Sequence, residues 1–397
     1  MTSFDNIIVG AGAAGLFLAG ELKNYKNLII EKNKTPGKKI IISGGGRCNF
    51  TNLEISAKDY QSTDNHFHRG VLLNYPSKKF IELVKEEKIK FYEKKLGQLF
   101  CENSSKEILN LLLKRISQQT KFIYGCEVTN SNIKKIENGF ELNIKGRIYH
   151  TKNLIIASGG PPMPAIGGTN FSIQLANKFN IKVSSFRAAL VPIFQKATNS
   201  LSGISLPVEI KIKKKVIKDD LLFTHKGLSG PAILKMTLWA EIGDSFLINW
   251  DPEKIIQQEL QNPTNLNHLK VLKKLFPPKV IEYFNTRLNN AFSKHSLNRK
   301  EINSLIELIY RDNYLYQNNE GYRKAEVAKG GVLTKELNRG SMESDKIKGL
   351  YFIGEAVDVT GLLGGYNFQW AWASAFLTAQ HIKKTSSSFY NEEFPNT

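Results

Sequence analysis

The sequence predicts an α/β fold in which a doubly wound, Rossmann-type dinucleotide-binding domain is assembled from both ends of the chain. A β-rich insertion and a small helical subdomain lie between the two parts. Three observations carry this. A short apolar run, Asn6–Val9, leads into Gly10-Ala-Gly-Ala-Ala-Gly15 and a helical stretch, Leu16–Leu22, which is the strand-turn-helix setting a GxGxxG motif requires. After about residue 190 the chain breaks into short β-like runs such as Val208–Ile212 and Leu221–Phe223, followed by amphipathic helical text over Lys254–Tyr310. From Glu326 it returns to Gly-rich, apolar text and closes on a helical pattern over Phe368–Ile382.

In the opening motif Gly10 permits a tight turn, Gly12 lets the backbone approach a pyrophosphate, and Gly15 allows the helix to pack closely on the strand. The helix amides and dipole then face the anion. A second apolar run, Leu28–Ile30, ends in Glu31, about 20 residues after the first glycine, where a carboxylate holds a ribose hydroxyl and repels a 2′-phosphate. FAD and NAD both fit at this point. Helical spacing follows over Ser77–Lys90 and Lys106–Gln119, and strand-like runs over Phe122–Val128, Phe140–Ile144 and Leu154–Ile156. The expected boundaries are 1–189 with 326–385 for the split domain, and 190–250 with 311–325 for the β-rich insertion. Residues 251–310 form the helical subdomain, interrupted by Pro263 and Pro277-Pro278, and 386–397 a loose tail.

The chain has 397 residues, 41% of them apolar, enough to bury the cores of two or three domains. The N-terminal residues lack a signal-peptide pattern, and no run approaches the roughly eighteen apolar residues of a membrane span. A cytoplasmic protein without a membrane anchor is expected. Cys48, Cys101 and Cys126 are odd in number, form no CxxC pair, and have no His cluster at metal spacing, so no metal site is expected. The 55 basic and 36 acidic residues give a net charge of +19, which attracts polyanions and makes nucleic acid a candidate partner. Lysines spread over a solvated surface are the other reading.

Two later segments bear on the cofactor. Ser43-Gly44-Gly45-Gly46-Arg47-Cys48-Asn49 presents three successive glycines able to form an anion-binding nest, with Arg47 as a fixed cation. Near the C-terminus a strand leads into Gly354-Glu355, and a loop with Gly364-Gly365 opens a helix near Asn367, whose amides are placed to face flavin pyrimidine oxygens. Cys48 is a candidate general acid beside a flavin, or a small residue packing beneath it. Position 53 is Leu53, so the paired cysteines of a flavin disulfide reductase are missing. His225, in Leu-Phe-Thr-His-Lys-Gly, either faces a substrate cavity or stabilises a turn. Trp370 and Trp372 fall in an apolar helix, where core packing is the simpler reading.

Together GAGAAG, KKIIISGGGRCNFTN, LFTHKGLSGPAIL and AEVAKGGVLTKEL with MESDKIKGLYFIGEAVDVTGLLGGYNFQWAWAS resemble the BaiN/RdsA family of NAD(P)/FAD-dependent oxidoreductases over nearly the whole chain. The resemblance implies a split FAD domain, an inserted β-barrel and a helical subdomain. It implies noncovalent FAD held by Gly10, Gly12, Ala13, Ala14, Gly15, Glu31, Lys32, Gly45, Gly46, Arg47, Cys48, Val128, Ser158, Gly159, Gly354 and Glu355, and by Gly365, Tyr366, Asn367, Phe368 and Gln369. Cys48 and His225 are the catalytic candidates. NAD(P)H is the implied transient donor, since the chain has one GxGxxG, and the implied acceptor is a uridine of large-subunit ribosomal RNA, reduced to dihydrouridine. A flavin reductase of a small unsaturated molecule and a non-catalytic flavin redox sensor are the alternatives. One block departs from the family: after Ser158-Gly159-Gly160 the chain reads Pro161-Pro-Met-Pro-Ala-Ile-Gly-Gly-Thr-Asn-Phe171 where a Thr-Gly-Asp-Gly signature is usual.

Overall fold

Residues 2–64, 66–260, 268–293 and 297–393 are described in the computed structural model of the chain. Contacts divide the chain into two units, Met1–Ala188 with Glu326–Thr397, and Ala189–Ala325.

The first unit is organised by strands whose residues are buried on both faces, as a covered parallel sheet demands. Ile7, Ile8, Leu28, Ile29, Leu154, Ile155 and Ile156 are all buried. The parallel strands run in the order Lys121–Ile123, Asn27–Ile30, Thr2–Val9, Arg147–Ile156, Leu350–Phe352. Only the end of Arg147–Ile156 meets Leu350–Phe352; its beginning pairs antiparallel with Gly139–Ile144, which Ile133–Ile136 extends as a hairpin. The last parallel strand comes from beyond the insertion, so the sheet needs both ends of the chain. Val183–Ala189, leading out, pairs with Val327–Val332, leading back.

The strand expected over Phe122–Val128 stops at Ile123. The chain turns there, the Gly125 N–H donating to the Asn33 carbonyl (3.0 Å) and the Cys126 N–H to that of Glu31 (3.0 Å). The closing helix, Tyr366–Glu393, packs along Ala13–Glu21. Its backbone continues past residue 385, where the sequence predicted a loose tail; of that tail, residues 394–397 lie outside the described part. Trp370 and Trp372 are core residues. Trp370 Nε1 donates to the Gly354 carbonyl (3.0 Å) and Trp372 Nε1 to that of Phe50 (2.9 Å).

In the second unit six antiparallel strands follow the order Ile193–Phe194, Gly227–Ser229, Lys215–Phe223, Ser205–Ile212, Ser245–Asn249, Asp312–Leu315. The two ends of the sheet meet. Phe194 N–H donates to the Asn318 carbonyl (3.1 Å) and Glu320 N–H to that of Pro192 (3.0 Å), so the chain just beyond the last strand closes back on the first. Helices Ile255–Leu260, His268–Leu275, Pro278–Arg287 and Arg299–Arg311 share one core with this sheet instead of forming a separate one. Trp250 stacks on Phe223 of the sheet (5.7 Å) and meets Phe284 of the helices edge-on (6.1 Å). The Asp251 carboxylate accepts the Ile255 and Ile256 N–H groups (3.1 and 2.8 Å), capping the first helix. No helix among the described residues is long and apolar enough to cross a membrane.

Candidate cofactor site

Everything in this site belongs to the first unit. Gly12 stands at the N-terminus of helix Ala13–Glu21 with extended backbone, and a Cβ placed on it would have no protein atom within 4 Å. Gly10 and Gly15 differ, since a Cβ on the first would strike the Ala157 carbonyl and one on the second the Gly10 carbonyl. The turn is thus closed by protein on two sides and open at Gly12, where the helix amides point.

Glu31 reaches back under this turn. Its Oε2 accepts the Ala11 N–H (2.7 Å), and its Oε1 accepts from the Asn33 backbone N–H (2.8 Å) and Nδ2 (2.7 Å). Asn33 Nδ2 also donates to the Ile166 carbonyl (3.0 Å), tying the carboxylate to the Pro161–Phe171 segment. That segment, which replaces the usual acidic signature, forms a wall. Gly167, Thr169 and Phe171 line a shallow cleft together with Gly10, Glu31, Lys32, Glu127, Val128 and Ser158. Ser158 Oγ is buried there without a protein hydrogen-bond partner, a polar atom that suits a ligand's hydrogen bond. Lys32 Nζ and Glu127 pair at the rim (2.8 Å).

From the glycine turn a track continues. Gly37 N–H donates to the Ala11 carbonyl (2.8 Å) and starts helix Lys38–Ile42, which carries Lys39. Lys39 Nζ meets Glu355 Oε2 (2.8 Å), which also accepts the Gly160 N–H (3.2 Å), while Glu355 Oε1 accepts that of Ala328 (3.0 Å). Beyond lie Gly44, Gly45 and Gly46, successive residues in the left-handed region at φ 58°, 66° and 83°, which form a concave backbone at solvent. A Cβ on Gly45 or Gly46 would enter open space. On the other side, the Gly364-Gly365 turn is held to the strand Asn49–Asn52 by Asn52 Nδ2, which donates to the Gly364 carbonyl (3.0 Å). The cleft at Glu31 and Ser158, the open helix N-terminus at Gly12 and the glycine-lined end therefore follow one another, an order that an extended dinucleotide fits. Among the described residues no group of three or more His, Cys, Asp or Glu could hold a metal ion.

The family pattern described as HI0933-like protein Rossmann domain matches residues 4–381. The chain belongs to the HI0933-like Rossmann family. Two relatives, from Haemophilus influenzae and Escherichia coli, are both named ribosomal RNA dihydrouridine synthase. The first is 39% identical over 96% of this chain and 98% of its own length, the second 38% over 98% and 100%. A 3-dehydro-bile acid delta(4,6)-reductase of Clostridium scindens is 26% identical over 94% of this chain and 97% of its own.

Several side chains named by the sequence are engaged elsewhere in this HI0933-like chain. Gln369 is fully buried, its Oε1 accepting from Thr51 Oγ1 (2.7 Å) and its Nε2 donating to the Tyr75 carbonyl (2.6 Å). It braces the closing helix, and its side chain has no exposed surface. Asn367 holds its own loop, exchanging bonds with the Gly361 N–H and carbonyl (2.9 Å each). Phe368 stacks on Trp372 (5.6 Å). His225 lies in the second unit, exposed in the turn where Thr224 N–H donates to the Gly227 carbonyl (2.7 Å). Lys39 and Asn33 were not singled out, because what marks them is a partner far away in sequence or a neighbour at a turn.

Cys48 requires a correction. It is fully buried in the core, and burial pushes its thiol far above the ordinary range against a Ser43 hydrogen bond that pulls it down. With no exposed surface and a thiol held protonated by burial, Cys48 fits the packing role better than that of a general acid. Cys48→Ala is accordingly expected to keep its flavin and both half-reaction rates, without the roughly hundredfold loss that removal of a general acid brings. A small cavity should lower stability by about 1 kcal/mol. Anaerobic stopped-flow of each half-reaction checks this; a slowed acceptor half-reaction with intact flavin would restore the acid role.

Proposed function

We propose that the protein is an FAD-dependent oxidoreductase that uses NAD(P)H to reduce a uridine of large-subunit ribosomal RNA to dihydrouridine in the cytoplasm. The observation that carries this is the pair of relatives of that name, matched over almost the full length of both chains. The track described above supports the cofactor. Glu31 and the cleft around Ser158 take the adenosine end, the helix start at Gly12, Ala13 and Ala14 takes the pyrophosphate, with Gly159, Gly354, Glu355 and Lys39 beside it. Gly45, Gly46 and the turn at Gly365 and Tyr366 frame the flavin.

FAD supplies two-electron chemistry, passing to the acceptor a hydride received from NAD(P)H. The C5=C6 bond of uracil is conjugated to a carbonyl, so hydride enters at C6 and a proton at C5. His225, exposed in the second unit, is the sequence's other candidate for that proton. A base in folded RNA has to be splayed out to be reduced, and the charge of +19 favours a polyanionic partner. A second reading, reduction of a small unsaturated carbonyl compound, is favoured by the Clostridium scindens relative.

Mass spectrometry of ribosomal RNA separates the two. In a strain lacking the protein, dihydrouridine in the large subunit should fall and return on complementation. An unchanged level overturns the RNA reading in favour of the second.

A further inference from the structure

Resting on the reading of RNA as substrate, we infer that the outer face of the small three-stranded sheet beside the flavin end of the track is the surface on which single-stranded RNA lies. Tyr92 is its stacking platform, and Arg47 and Lys94 are its phosphate partners.

The sheet is antiparallel, with Gln98–Cys101 between Asn49–Asn52 and Phe91–Glu93. Its register sets Asn49 and Tyr92 on either side of Phe100, and residues directly opposite share a face. Phe91 points the other way, edge-on to Phe50 (5.7 Å) in the core. On the outer face the Tyr92 and Phe100 rings lie 6.0 Å apart at 23°. The Arg47 guanidinium sits 6.0 Å from the Tyr92 ring and donates to its hydroxyl (3.2 Å), and Lys94 Nζ lies 5.6 Å from the Phe100 ring. Phe100 is buried, Tyr92 half-buried, and both cations are exposed.

This strip is continuous with the track at two places. A Cβ on Gly44 would touch the Phe100 ring (2.7 Å) and one on Gly364 the Gln98 side chain (3.0 Å). At its tip Leu53 and Leu96 are 49% and 62% exposed, held together where Leu53 N–H donates to the Gly97 carbonyl (2.8 Å) and Asn52 Nδ2 to that of Leu96 (3.0 Å). Of the nearby carboxylates, Glu93 is turned to the opposite face, where it accepts the Gly97 N–H (3.0 Å), and Glu54 follows Leu53 outside the strip. Two stacked aromatic rings, each with a cation beside it and next to exposed leucines, match what unstacked bases and their phosphates require. Extruding one uridine toward the flavin leaves its neighbours unstacked and in need of such a surface.

The test uses FAD-loaded protein and a fluorescent, uridine-rich single-stranded RNA. Tyr92→Leu and Lys94→Glu, separately and combined, should weaken binding, the pair by roughly tenfold or more. Flavin content and the rate of flavin reduction by NAD(P)H should stay unchanged, and Tyr92→Phe, which keeps the ring, should bind as wild type does. Lys214→Glu, the same charge change at an exposed lysine of the second unit, should have a smaller effect. Unchanged affinity in the strip variants, or equal weakening by Lys214→Glu, overturns the assignment and leaves the RNA reading standing. Wild-type protein that binds no RNA overturns both.

Discussion

Purified Gly12→Leu protein is expected to be folded and colourless. Position 12 has φ −86° and ψ −165°, extended backbone open to any residue, and a Cβ there meets no protein atom within 4 Å. Leucine therefore meets no protein atom and occupies the space assigned to the pyrophosphate. A loss of at least a hundredfold in FAD affinity, equivalent to about 2.7 kcal/mol, should appear as missing flavin absorbance per polypeptide, with the thermal midpoint of the apoprotein unchanged. Gly15→Leu is the contrast. Its Cβ would run into the Gly10 carbonyl, so helix and strand must separate and the fold itself should fail. A coloured Gly12→Leu protein would mean that the dinucleotide does not cross this helix start.

The second large effect belongs to the inserted unit. Asp312 has a fully buried carboxylate that takes Arg287 Nη2 (2.8 Å), Trp250 Nε1 (3.1 Å) and the Tyr314 hydroxyl (2.8 Å), while Tyr283 bridges Tyr314 and Arg287 (2.7 Å each). One network thus pins the helix Pro278–Arg287 to the strand Asp312–Leu315. Arg287→Met should cost about 3 kcal/mol, the low end for breaking a buried pair, because two neutral donors still face the carboxylate and the guanidinium was partly solvated. Asp312→Asn removes the charge that needs a partner and should cost less. Denaturant unfolding followed by tryptophan fluorescence reads both. Equal losses would show that the charge is not what the network serves.

Much of the first unit was legible because its signals are local. Gly10, Gly12, Gly15 and Glu31 lie within one strand-turn-helix-strand passage, and their spacing alone implies the turn, the helix start and the carboxylate beneath it. The insertion was visible as a change of texture near residue 190, matching a division observed at Ala188 and Ala189. What lay hidden depends on side-chain direction or on distant partners. Arg47 and Cys48 are neighbours, yet one is exposed and the other buried in the core, a reversal set where the loop turns into the strand Asn49–Asn52. Glu355 was readable as a motif, but its partner Lys39 stands 316 residues away. Gln369 looked like a ligand because it sits in a glycine-rich turn, whereas its amide is consumed in packing. The helical stretch read as its own subdomain because amphipathic text reveals an apolar face without naming the sheet that covers it.

The pairing of Leu154–Ile156 with Leu350–Phe352 has a consequence for how the protein is made. Roughly two hundred residues separate the partners, and a ribosome adding about 5 to 20 residues each second needs about 10 to 40 s to deliver the second strand. For that interval the edge of the nascent sheet carries bare N–H and C=O groups next to apolar side chains, the kind of template on which other chains aggregate. The insertion emerges during the same wait with all six of its strands, and its sheet can close back on itself. Synthesis thus favours an order in which the middle of the chain matures first and the two ends last, and it leaves the newborn protein most vulnerable just before the last strand of its parallel sheet arrives.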